Sequence, residues 1–174
     1  MNHFFDADKS IPIWAIFESL TLGEFGTFFA CANSDVKLYT SATLHLPNNL
    51  DSDGKITEYI IYSLKDLRNA VAHNNIIFDT RFKDRKISPV LKKWVEKETG
   101  IQNITLYSLI DYIIIVCCLL KRVDFSGTRA LTLLNKYKEE NQRLQNSVAS
   151  EIYDHIIQNN VPAKVVGLEA YLNV

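Results

Sequence analysis

Residues 55–73 read KITEYIIYSLKDLRNAVAH, and the spacing within them decides the fold. Ile56, Ile60, Leu64, Leu67 and Val71 follow one another at intervals of four, four, three and four. Those intervals wind them into one narrow apolar stripe on a helix. The spacing predicts a helix over Lys55 to His73. Ahead of it, Pro47-Asn48-Asn49-Leu50-Asp51-Ser52-Asp53-Gly54 is a run of turn formers and reads as a polar loop. Behind it, Asn74 to Arg85 reads as a polar, basic connector.

Helical segments flank this element on both sides. Ser10 to Ala32 has a serine at the cap position, an early Pro12, and Gly23 and Gly26 where the helix is expected to kink or divide. Trp14, Phe17, Leu20, Phe25, Phe28 and Phe29 are expected to supply core volume. Asp35 to Leu46 suits a short second helix. Ser88-Pro89 opens another that runs to about Thr99. Thr105 to Val123 is the central apolar helix, Ser126 to about Asn146 is long and polar on most faces, and a further helix reaches Gln158. Pro162 to Val174 receives no assignment. Neither strand-period alternation nor an internal repeat competes. The expectation is an all-α bundle of six or seven helices, one domain over residues 1–174.

Composition narrows the function classes. The 174 residues suit one domain with a real core. With 47% hydrophobic and 22% charged residues but only 6 Gly and 4 Pro, helices are favoured over a turn-rich β fold. A formal net charge of −1 supplies no global field for nucleic acid, so such binding needs a local patch. Cys31, Cys117 and Cys118 are odd in number and lie in apolar helical context, as expected of reduced core thiols in a cytoplasmic protein. No Cys/His cluster has zinc spacing, so neither a metal nor another cofactor is expected. Residues 1–8, MNHFFDAD, lack a basic n-region and an apolar h-region, and no signal peptide is expected. The run Tyr112 to Leu120 falls well short of the roughly 20 residues a span needs, so no membrane partner is expected either.

The chemistry sits at the end of the best helix. Arg68-Asn69-Ala70-Val71-Ala72-His73 combines a phosphate-holding fork of N–H donors with a side chain that moves protons near neutral pH. At roughly 100° per residue, Asn69 and His73 share a face, and Arg68 lies roughly 140° from His73. The arc holding Arg68, Asn69, Ala72 and His73 is expected to point away from the apolar stripe, with Ala70 and Ala72 leaving it uncluttered. One guanidinium and one imidazole so spread do not easily converge on one phosphate. Two copies about a two-fold axis could, and a homodimer is expected on that ground. The reaction would be attack of a ribose 2′-OH on the adjacent phosphorus. His73 would move the proton, Arg68 would stabilise the phosphoryl oxygens, and Asn69 would orient the ring or bond a phosphate oxygen. DNA lacks that nucleophile, so the substrate would be RNA. Against this stand plain structural roles. Arg68 could pair with a carboxylate on another helix, and His73 could sit where the helix macrodipole favours it.

Arg81, Lys83, Arg85 and Lys86, followed by Lys92 and Lys93, form a basic strip that could guide an RNA backbone. The alternative is a solvated loop and helix face. Phe78, Phe82 and Trp94 interleave with these charges and could stack bases, although Trp94 suits the core better. Tyr62 and Asp66 are candidates for dimer contacts. His3, His45 and His155 have no partners at diagnostic spacing. Lys136 to Arg143 reads as a solvent face on which Glu139 and Arg143 form a weak pair.

Two blocks carry a resemblance. IPIWAIFESL over residues 11–20 with LGEFGT over 22–27, and LRNAVAHN over 67–74, resemble the conserved blocks of the Abi-like (abortive infection, AbiD/AbiF type) bacterial family, in the right order and spacing. Residues 10–86 carry it best, and the C-terminal helices follow loosely. That family lies in the HEPN superfamily, whose R-x-x-x-x-H motif Arg68 and His73 satisfy. The resemblance implies a dimerising HEPN-type helical bundle with a composite, metal-independent RNase site at Arg68, Asn69 and His73. It further implies phage defence by abortive infection or a toxin role, with an antitoxin or a guide or regulatory RNA as additional partners. Relatives usually carry more chain before the Pro-x-Trp block than the ten or so residues here. The rival expectation is an RNA-binding or interaction module of such a system without useful catalysis.

Overall fold

The computed structural model describes residues 12–47, 49–73, 87–123 and 127–174. They form α1 (Ile13–Ser19), α2 (Leu22–Cys31), α3 (Ser34–Thr43), α4 (Lys55–Ala72), α5 (Pro89–Thr99), α6 (Leu109–Val123), α7 (Thr128–Ser147), α8 (Ser150–Ile156) and α9 (Val161–Leu172). No strand occurs among the described residues, and the all-α expectation holds. The helices number nine among those residues, more than the six or seven expected, for two reasons. The first aromatic segment splits at Leu20-Thr21 and not at its glycines. Thr21 takes an extended conformation and builds a capping box. Its hydroxyl accepts the Glu24 N–H at 3.2 Å while the Glu24 carboxylate accepts the Thr21 N–H at 2.7 Å. Those bonds hold the Glu24 carboxyl below the usual glutamate range. The second reason is α9, which occupies the stretch left unassigned.

α6 is the hub. Ile110, Tyr112, Ile114, Ile115, Cys117 and Cys118 are all buried, and α7, α9, α5 and α4 pack against it. α4 is the link to the N-terminal part, because α2 and α3 both pack on it while its other neighbours are α5 and α6. Gly26 permits the α2 approach, since a Cβ there would lie 3.1 Å from the Tyr62 ring and 3.2 Å from Ile61. The entry to α4 is equally constrained. Asp51, expected in a merely polar loop, is buried and accepts the Ile56 N–H at 2.8 Å and the Ser41 hydroxyl. Gly54 then turns the chain with φ +68, where a Cβ would meet Lys37 at 2.6 Å. Across the bundle, Arg122 pairs with Glu98 at 2.7 Å and donates to the carbonyls of Leu44 and His45 after α3.

Several expected core positions are corrected. Trp14 (56% exposed), Phe17 and Phe28 are exposed. α1 is short and lies outside the central packing, and Phe17 meets rings of α2, as in the edge-on Phe17–Phe28 contact with centroids 5.5 Å apart. Cys31 is exposed at the end of α2, whereas Cys117 and Cys118 are buried. Arg143 pairs with Glu140 at 2.9 Å, not with Glu139. Among the described residues no helix is long and apolar enough to cross a membrane.

The thiols give a direct check on this packing. Burial pushes Cys117 and Cys118 up to about 12, which leaves almost no thiolate to react. Maleimide labelling of the native chain is expected to stop at Cys31 and to reach Cys117 and Cys118 only in denaturant. Native labelling of the α6 thiols at a rate near that of Cys31 would mean that the α6–α7 seam opens freely.

Candidate functional site

α4 ends on Ala72, and its last turn presents the candidate residues. Arg68, Ala72 and His73 are exposed and Asn69 is half-buried. The Arg68 guanidinium donates to Asn69 Oδ1 at 3.1 Å. Among the described residues no carboxylate pairs with Arg68. His73 is the C-cap, and its backbone N–H closes the helix on the Asn69 carbonyl at 3.1 Å. Its imidazole stays accessible at the chain's exit from the helix.

Two details of the expected helix face are corrected. Val71, placed on the apolar stripe, is 54% exposed, and Ala70, placed on the open face, is buried. Four helices pack around α4, so its buried side runs through Ile56, Thr57, Ile60, Ile61 and Ala70 and is wider than one stripe. The small Ala70 therefore serves close packing, and Ala72 alone keeps the outer surface low.

Tyr59, Tyr62, Asp66, Asn69 and His73 follow at intervals of three, four, three and four, which lines them along one side of α4. Tyr62 and Asp66 are half-buried there. Lys65 Nζ lies 5.4 Å from the Tyr62 ring centre and 3.9 Å from Asp66 Oδ1. Between this side of α4 and the start of α5 is a concavity of about 430 Å³, lined by Tyr59, Tyr62, Ser63, Asp66, Ser88 and Tyr112 among others. Periodicity within α4 could have placed Tyr59 beside Tyr62. Nothing in the sequence brings Ser88 and Tyr112 to them, because the packing of α5 and α6 does that.

Arg81, Lys83, Arg85 and Lys86, with Phe78 and Phe82, lie outside the described residues. Of the remainder of the expected basic strip, Lys92 faces Glu96 at 3.7 Å and Lys93 is exposed. Trp94 is buried in the core, with Arg122 5.6 Å from its ring centre, and is not a surface for stacking bases. His45 is exposed with φ 53, and its carbonyl accepts from Arg122. Among the described residues no group of three or more His, Cys, Asp or Glu is gathered for a metal.

An all-helical domain whose longest-patterned helix ends in an accessible arginine–amide–imidazole face is the class that fold and geometry define. The family model described as Abi-like protein matches residues 1–79, which contain the whole of α1–α4, and over that part the chain is similar to the Abi-like family. That likeness suggests a part in abortive infection, a form of phage defence. No curated protein and no solved structure gives a match.

Proposed function

We propose that the protein is an endoribonuclease of HEPN type that acts without a metal in abortive infection, its site composed from Arg68, Asn69 and His73 of two protomers. The observation that carries this reading is the free presentation of the pair. Arg68 donates to a neighbouring amide and, among the described residues, is not neutralised by a carboxylate, and His73 is exposed at the same helix end. An arginine in an internal ion pair would have its fork occupied. Here the fork can turn to a phosphate, for which its planar donors are suited.

In the reaction the imidazole takes the proton of a ribose 2′-OH, and the oxygen attacks the adjacent phosphorus. The bond from phosphorus to the 5′-oxygen breaks, and that oxygen takes a proton as it leaves. The products are a 2′,3′-cyclic phosphate and a 5′-hydroxyl. Arg68 stabilises charge on the non-bridging oxygens as the phosphorus becomes five-coordinate. With the arginine of one protomer facing the histidine of the other, the imidazole that takes the 2′-OH proton hands it on to the leaving 5′-oxygen while the guanidinium holds the phosphate. Asn69 bonds Arg68 and shares the side of His73, so it sets the guanidinium's approach.

Purified protein incubated with total RNA and excess chelator is expected to cut it and leave cyclic phosphate ends. The His73→Ala variant is expected to bind RNA without cutting. Binding without cleavage by both proteins would replace the nuclease with an RNA-binding module, and neither binding nor cleavage would leave only an interaction partner of another defence component.

A further inference from the structure

α1 presents its apolar stripe to the outside. Ile13, Ile16 and Phe17 follow at the i, i+3, i+4 spacing of a core-facing helix. They are nevertheless 65%, 40% and 39% exposed, and the buried residue of α1 is Ala15, on the opposite side. The stripe continues onto α2 through Phe28, 49% exposed, whose ring meets that of Phe17 edge-on. We infer that a second copy of the chain covers this surface, stripe on stripe across a two-fold axis. The contact is independent of the ribonuclease reading and lies on a different face of the molecule.

α1 needs outside support. It has seven residues, and a helix so short is marginal in water unless something packs on it. Its own chain supplies little, because the close helix pairs of the bundle do not include α1. The area suits an interface between copies. The exposed parts of Ile13, Ile16, Phe17 and Phe28 amount to roughly 400 Å², within the range of patches that mark interaction sites. One side of a stable interface covers about 800 Å², a little over half of it apolar. These four residues therefore supply most of the apolar part of one side. None of them carries charge. Groups near a two-fold axis meet their own copies, so a charged stripe would repel itself and this one does not. A foreign partner would need an apolar surface of matching size, which the second copy carries by construction.

The contact leaves the end of α4 open. α2 turns Gly23 and Gly26 towards α4, where added Cβ atoms would lie 3.2 Å from Lys65 and 3.1 Å from Tyr62. Gly26 and Phe28 are about 160° apart around α2, so α2 stands between α4 and the stripe. A chain that pairs at both faces assembles beyond a dimer.

Analytical ultracentrifugation of the full chain over a range of concentrations tests this, with RNA cleavage measured alongside. Ile13→Glu and Ile16→Glu, both at exposed positions, are expected to weaken self-association tenfold or more and to halve the mass of the assembly. Melting temperature and cleavage are expected to stay parental. In a Cys31→Ser chain carrying Ile16→Cys, the α6 thiols are buried, and a short bismaleimide is expected to join two chains through residue 16. Equal masses for the parent and both glutamate variants at every concentration would overturn the contact. Loss of mass without cross-linking at residue 16 would also overturn it, because another surface would then face the stripe. If the parent cuts no RNA while Ile16→Glu still halves the mass, the nuclease falls and the contact stands. Cleavage with unchanged mass gives the reverse.

Discussion

Replacing Lys164 by methionine is expected to cost the fold about 3–5 kcal/mol and to lower its thermal midpoint by roughly 6–20 °C. Lys164 lies on the inner side of α9 and is buried. Its Nζ reaches Asp111 Oδ1 at 2.6 Å and donates to the Asn103 carbonyl at 2.9 Å. The other Asp111 oxygen accepts the N–H groups of Thr105 and Leu106 and the Thr105 hydroxyl, at 3.0–3.1 Å. One carboxylate therefore ties together α6, the loop before it and α9. Methionine removes the cation and leaves a buried negative charge whose remaining bonds come only from neutral donors. Asp111→Asn performs the reverse, stranding the ammonium. The double variant Asp111→Asn with Lys164→Met should recover part of the loss, since no buried charge remains and the asparagine carbonyl can still accept from the loop. Circular-dichroism melts and denaturant titrations of the four proteins decide it. A Lys164→Met midpoint within a degree or two of the parent would mean that water reaches the pair and that it contributes little.

The same lysine explains why α9 was illegible in the sequence. Val161, Lys164, Leu168 and Leu172 are buried at intervals of three, four and four, a sound helical pattern once the second position is allowed to be charged. A stripe read by hydropathy breaks at Lys164, because its partner Asp111 lies 53 residues earlier in the sequence. Buried pairs hide helices in this way, whereas α4, α5 and α6 were legible because their inner sides are almost wholly apolar. The aromatic N-terminal segment failed in the opposite sense. Trp14, Phe17 and Phe28 look like core by residue type, yet burial depends on what packs over them, and α1 meets α2 through the rings of Phe17, Phe25 and Phe28 outside the central packing. The true inner face of that segment is carried by Ala15, Gly26 and Phe29.

The candidate site was legible to the extent that it is local. Arg68, Asn69 and His73 lie within six residues of one helix, and helical geometry alone relates them. What sequence could not reach was the polar tyrosine-lined space beside them, since three elements build it, and the exchange of Val71 for Ala70 on the buried side. That exchange follows from a helix flanked by neighbours on more than one side, where the closest approach selects the smallest residue and pushes the larger one outward.

Cleavage of RNA is expected to fall by about 10²–10⁴ in His73→Ala and by about 10²–10³ in Arg68→Ala, and mixing the two variants is expected to restore activity. Both residues are exposed, so each substitution should leave the melting temperature within the small range typical of surface changes. Arg68→Lys should lose nearly as much as Arg68→Ala, because an ammonium keeps the charge but not the planar fork that spans two phosphoryl oxygens. The recovery follows from composition across protomers. If the arginine of one chain works with the histidine of the other, a dimer of His73→Ala with Arg68→Ala has one whole site and one empty one. Random reassortment after mild denaturation makes half the dimers mixed, so the pool should regain roughly a quarter of parental activity. If each arginine serves the histidine of its own chain, every mixed dimer contains two broken sites and the pool stays as inactive as its parts. The roughly 140° between Arg68 and His73 on α4 favours the first outcome, because side chains so far apart around one helix reach a common phosphate only from two directions.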